Sequence, residues 1–135
     1  MFADTSGWAC FVDRKQSAHA LAGELVRTAC DDGIRVVTTN YVLAELTALL
    51  NSPLRISKDK QIAYLEAIRS ADWVEVVHLD GDADDAAWRL WESRPDKTWT
   101  FVDCSSFVVM EARGLTDALT TDHHFEQAGF NRLLK

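Results

Sequence analysis

The sequence predicts an α/β protein, a three-layer α/β/α sandwich around a mostly parallel central sheet. Two observations carry that expectation. Short runs rich in β-branched residues alternate with longer segments of helical periodicity, as parallel strands joined by crossover helices do. No internal repeat, low-complexity tract or Pro/Gly-rich linker divides the 135 residues, so one domain over residues 1–135 is expected.

Phe2 to Thr5 reads as the first strand, followed by a short apolar helix over residues 7–13 and a longer one from Ser17 to Asp31. Arg35 to Thr39 is a second strand, and Asn40 is placed to cap a helix that Asn51-Ser52-Pro53 stops. Ser57 opens a helix with Ile62, Leu65 and Ile68 facing inward, and Trp73 to Val77 is the third strand. Residues 80–93 carry an apolar stripe at 83, 86, 87, 90 and 91. A helix over 104–113, with Asp103 as its N-cap, buries Cys104, Phe107, Val108 and Ala112 and stops at Gly114. Ala118 to Thr121 is a fourth strand, Asp122 to Ala128 a last short helix, and Phe130 to Leu134 a fifth strand at an edge.

Apolar content of 47% and charged content of 26% are ordinary for a globular protein. No apolar run approaches the roughly 18 to 20 residues needed to span a membrane, and Met-Phe-Ala-Asp lacks the features of a signal peptide, so a cytoplasmic protein is expected. Three cysteines, Cys10, Cys30 and Cys104, are odd in number and widely spaced, which suggests neither a disulfide framework nor a zinc site. All three sit among apolar neighbours and read as reduced core thiols. The net charge of −7 argues against a surface built for broad nucleic-acid binding. Acids gathered round a metal ion would nevertheless be largely neutralised in the loaded site.

Four acids stand where the pattern calls for apolar or capping residues: Asp4 in "FADTS", Glu45 in "NYVLAELTALL", Asp103 in "TFVDCSSFVVM" and Asp122 in "LTTDHHF". Asp4, Asp103 and Asp122 can each be read as a helix or turn cap. The strand assignments put Asp4 and Asp122 at the carboxyl ends of strands and Glu45 one turn into the helix after the second strand, at the rim where open α/β sheets bind ligands. Clustered carboxylates raise one another's pKa values and need a compensating cation. Asp4 and Glu45 have no His or Cys beside them, and Cys104 beside Asp103 reads as a core thiol, which favours Mg²⁺ or Mn²⁺ over Zn²⁺. Such an ion activates water for phosphodiester hydrolysis.

These blocks resemble the PIN domain, and in particular the VapC-type toxins of bacterial toxin–antitoxin pairs. The resemblance covers almost the whole chain through "FADTSGW", "TTNYVLAELTALL", "DKTWTFVDCSSFVVM" and "ALTTDHHFEQAGF". The third block is the most specific, with its Asp-Cys-x-Ser-Phe segment and a Trp upstream. The resemblance implies a PIN-like fold and a metal-dependent endoribonuclease, with Asp4, Glu45, Asp103 and Asp122 as the acidic positions. It implies Asp4 and Asp103 as metal ligands, Thr5, Ser6 and Ser106 as supporting polar groups, a protein antitoxin and a homodimer. Val102 stands where the family commonly carries Thr. Two other readings are a solitary RNA-processing nuclease and an inactive protein-binding module. The presence of all four acids disfavours the second.

"DGDADD" at 80–85 hints at a calcium loop, but Asp85 and Trp91 occupy the places of its Gly and Glu. It reads better as acids favoured by the dipole of the following helix. His123 and His124 are expected to be exposed first-turn residues with a possible contact to substrate phosphate. Arg14, Lys15, Arg94 and Lys97 flank the predicted rim, with Arg14, Lys15 and Lys97 the favoured phosphate contacts. The five tryptophans are expected mostly in the core, Trp8 and Trp99 among them.

Overall fold

A computed structural model describes residues 1–135. β1 (Phe2–Ala3) is wholly buried. It pairs in parallel with β2 (Val36–Thr39) on one side and β4 (Asp117–Leu119) on the other. β3 (Val74–Val77) continues the sheet beyond β2, and β5 (Asn131–Arg132) closes the far edge, giving the order β3-β2-β1-β4-β5. All pairings are parallel. Such sheets are buried on both faces, and Val-Val-Thr-Thr in β2, buried at every position, fits that rule. From β1 the chain goes to β2 on one side and returns through β4 on the other, so the switch point lies at the carboxyl end of β1. Asp4 is the next residue.

The crossovers are α1 (Thr5–Val12), α2 (His19–Asp31), α3 (Asn40–Asn51), α4 (Lys58–Ser70), α5 (Gly81–Ser93), α6 (Phe101–Ala112) and the single turn α7 (His124–Gln127). α1 packs on α2 and α3, and α5 on α6. No helix is long and apolar enough to cross a membrane. Trp8 and Trp99 belong to the core. The Trp8 indole donates to Thr38 Oγ1 (3.0 Å), which donates to the Ala3 carbonyl (2.9 Å), tying α1 to β2 and β1.

Several element ends differ from expectation, each for a local reason. Asp4 caps α1, so Thr5 is helical and the first strand is shorter than its sequence suggests. Thr39, rather than Asn40, caps α3 by accepting from the Val42 amide, while the Asn40 side chain accepts from Leu79. α6 begins at Phe101: Thr100 is its cap, and Asp103, in the first turn, completes a capping box. Val109 and Met110 are buried on α6, and Ala112 is exposed. On α4 the buried positions are Gln61 and Ile68, with Ile62 46% exposed. Gln61 turns inward because its amide donates to the Ile56 carbonyl (2.8 Å). On α5 only Ala87 is buried, while Trp88 and Trp91 are 42% and 45% exposed. Cys30 is exposed, unlike Cys10 and Cys104.

One contact at the switch point leaves no slack. A Cβ on Gly7 would lie 1.9 Å from the Leu119 carbonyl oxygen, because the first turn of α1 runs directly against the end of β4. Gly7→Ala must therefore push the helix off the sheet, an overpacking cost of about 3 kcal/mol. Thermal unfolding checks this; an unchanged melting temperature would contradict it.

Candidate active site

The capping that shortens β1 also fixes the first acid. Asp4 Oδ1 accepts from the Gly7 amide (2.8 Å) and the Ser6 hydroxyl (2.8 Å), and Oδ2 accepts from Thr120 Oγ1 (2.7 Å). Asp4 is 7% exposed. Burial pushes its carboxyl up to about 7, although the hydrogen bonds from Gly7, Thr120 and Ser6 pull the other way. Glu45 projects from the second turn of α3 and accepts a short hydrogen bond from Thr5 Oγ1. Its carboxyl is also raised, first by burial and then by the charges of Asp103 and Asp122.

Asp103 sits in the first turn of α6, where its Oδ2 accepts from the Thr100 amide (3.0 Å). Burial raises its carboxyl, the charge of Asp122 adds to the effect, and His124 opposes it. Asp122 follows β4 and accepts from the His124 amide (2.9 Å). Asp4, Glu45, Asp103 and Asp122 line one cleft of about 370 Å³ together with Thr5 and Ser6. A larger cleft of about 520 Å³ lies under Trp99, Phe107 and Phe130. It is mostly apolar with Glu111 as its one acid, so the chemistry sides with the smaller.

The other expected residues divide. Ser106 is fully buried, yet its hydroxyl finds no hydrogen-bond partner, and it does not reach the carboxylates. Arg14 and Lys15 line a neighbouring cleft rather than the acidic one. Arg94 and Lys97 do not flank the acids: they lie over the Trp99 ring at 5.0 and 6.0 Å, and Arg94 pairs with Asp96. The aromatic face and the local acid hold them away.

His124 departs furthest from its expectation of exposure: its side chain is only 14% exposed. Nδ1 lies 3.0 Å from Asp103 Oδ2, and Nε2 lies 3.1 Å from Thr98 Oγ1. With the Thr98 hydroxyl donating to Nε2, Nδ1–H is left to donate to Asp103, which fixes the carboxylate's orientation. Three threonines escaped the sequence reading. Thr120 bridges Asp4 and the Asp122 amide, Thr98 anchors His124, and Thr100 caps α6. The doubled Thr in "LTTD" was the only available signal for Thr120.

Asp103 Oδ1, Glu45 Oε2 and Asp122 Oδ2 receive no hydrogen bond from the protein. Three unsatisfied carboxylate oxygens facing one half-buried space suit a hard divalent cation. Asp122, His123 and His124 also bring ligand atoms within 4.8 Å of one another. Both nitrogens of His124 are already engaged, which favours the oxygen set. His124→Ala should therefore leave the fold standing and weaken Mn²⁺ binding about 10- to 100-fold, the usual loss for a residue that orients a metal ligand. Titration calorimetry measures it, and wild-type affinity in the variant would refute the orienting role.

The PIN domain model matches residues 1–131 of the chain. The chain belongs to the PIN domain family, and within it resembles the VapC-type toxin ribonucleases. Among characterised relatives, the 23S rRNA-specific endonuclease VapC20 of Mycobacterium tuberculosis, in both the CDC 1551 and H37Rv strains, is 33% identical over 130 residues. The alignment covers 96% of this chain and 95% of the relative. The crystal structure of Mycobacterium tuberculosis VapC20, described as a sarcin–ricin loop cleaving toxin, superposes with a TM-score of 0.85. Identity is 32%, with 96% of this chain and 95% of that one covered.

Proposed function

We propose that this protein is a toxin endoribonuclease that hydrolyses a phosphodiester bond in the sarcin–ricin loop of 23S rRNA, using Mg²⁺ or Mn²⁺. The observation that carries the reading is the convergence of Asp4, Glu45, Asp103 and Asp122 on one cleft in a chain one-third identical to VapC20 over nearly its full length. Asp103 would hold the ion through its free Oδ1 and Asp4 through the lone pairs its hydrogen bonds leave, with the free oxygens of Glu45 and Asp122 beside them. When bound, it lowers the pKa of a water and steadies the charge that develops on the phosphoryl group. The Thr5 hydroxyl fixes Glu45, which is placed to accept a proton from water, and burial raises its carboxyl in the direction that makes it a better base. Thr120 and Ser6 hold Asp4, and His124 holds Asp103, so the carboxylates are set before substrate arrives.

A protein antitoxin would silence the cleft by inserting Arg or Lys among the carboxylates, where a guanidinium pairs in bidentate fashion. An antitoxin-derived peptide should inhibit cleavage and weaken metal binding together. A ribosomal substrate would put the activity in the cytoplasm. Homodimer formation is supported by the paired, exposed Trp88 and Trp91 on α5, and light scattering tests it. The decisive experiment for the function is incubation with intact ribosomes and divalent metal, with the cut mapped by primer extension. Cleavage elsewhere in the RNA would replace the proposed substrate and keep the chemistry.

A further inference from the structure

In a chain of net charge −7, one cleft is basic. Arg14, Lys15, Arg55 and Lys60 line a cleft of about 490 Å³ beside Tyr64, with Asp13 the only acid. Asp13 is engaged locally, accepting from the Lys15 amide and the Gln16 side chain. None of the four cations forms an ion pair, although Arg94, Arg113 and Arg132 all do. Like charges left unpaired on one concave surface mark a place meant for an anion.

The cleft adjoins the acidic one along two paths. Ser52 lines the acidic cleft and Leu54 the basic one, with only Pro53 between them. Thr5 and Val12, at the two ends of α1, likewise line one cleft each. Eight helical residues span about 12 Å, the length of roughly three nucleotides of a strand. Arg55 adds an independent sign: it is the one non-glycine residue with positive φ, at 53°. An arginine held in the left-handed region is unfavourable, and such strain gathers at binding sites.

We propose that this cleft is a substrate subsite that grips the RNA backbone about three nucleotides from the bond being cut. Arg14, Lys15, Arg55 and Lys60 contact phosphates, and the Tyr64 ring offers a face on which a base can stack. The inference rests on the endoribonuclease reading of the acidic cleft. Charge separates the two clefts by ligand: a basic antitoxin tail suits the carboxylates, while the polyanionic substrate suits the cations.

The test is fluorescence anisotropy of a labelled sarcin–ricin hairpin with the full-length protein in EDTA, across a salt series. Wild type is compared with Arg55→Gln/Lys60→Gln and the charge-reversed Arg55→Glu/Lys60→Glu. All four side chains are exposed, so folding should survive, and melting with Mn²⁺ verifies an intact acidic cleft. The neutral variant should bind about tenfold or more weakly, and its log–log salt slope should fall by about 1.4 for two lost phosphate contacts. The reversed variant should bind more weakly still. Wild-type affinity and slope in both variants, with cleavage-competent wild type, would overturn the subsite alone. Lost affinity for an antitoxin peptide with unchanged RNA binding would overturn it in favour of a partner groove. A wild type that neither binds nor cuts RNA would overturn the subsite and the endoribonuclease reading together.

Discussion

Asp103→Asn is expected to abolish cleavage while making the metal-free protein more stable. The amide oxygen can take the place of Oδ2, keeping the hydrogen bonds from Thr100 and His124, so the cap of α6 survives. What disappears is a buried negative charge facing Asp122 and Glu45. A metal ion contributes several kcal/mol of charge stabilisation in such reactions, and each 1.36 kcal/mol is tenfold in rate. The loss should therefore be on the order of 10³-fold or more. Mn²⁺ should raise the melting temperature of the wild type by mass action and raise that of the variant much less. A variant that is less stable in EDTA and still cleaves would reduce Asp103 to a helix cap. Asp122, whose side chain is 29% exposed against 12% for Asp103, should tolerate Asn with a smaller loss.

The second large effect concerns pH. Asp4 titrates near 7 in the folded protein against an ordinary 3.8, so the native state retains a proton that the unfolded chain releases. Between those values the folded state binds more protons, and stability must fall as pH rises. The full difference is about 4 kcal/mol at most, from 1.36 kcal/mol per pH unit. Glu45 and Asp103 shift in the same direction. In EDTA the protein should therefore melt at a higher temperature at pH 5 than at pH 8, and Asp4→Asn should flatten that dependence. Saturating Mn²⁺ should reverse the trend, because the ion binds the deprotonated carboxylates. Stability that rises through this window without metal would contradict the burial of Asp4.

The strands and most helices were legible because their signals are local: Val-Val-Thr-Thr in β2 and the stop at Gly114, whose φ is +64°. The acids were legible because a cap explains any one of them but not the recurrence of four among apolar runs such as "TFVDCSSFVVM". The start of α6 was misread because Thr100 and Asp103 are both good caps. Only the reciprocal hydrogen bonds of the box decide between them. Thr120 and His124 were hidden for a different reason. Thr120 reaches Asp4 across 116 positions of sequence and His124 reaches Asp103 across 21, and no periodicity encodes such contacts. The same holds for Arg55 and Lys60, which join Arg14 and Lys15 only when the 52–57 segment folds beside the end of α1. Ile62 failed because a polar residue, Gln61, took the inward position through a bond to the backbone.

The central claim is that the four carboxylates form a metal-dependent nuclease centre acting on ribosomal RNA. The most direct measurement is mapping of the cut in 23S rRNA by wild type and Asp103→Asn protein, each with Mn²⁺ and with EDTA. The wild type with Mn²⁺ should make a single cut in the sarcin–ricin loop, and none should appear in the other three reactions. Cutting that persists in EDTA, or that Asp103→Asn performs equally well, would contradict the claim.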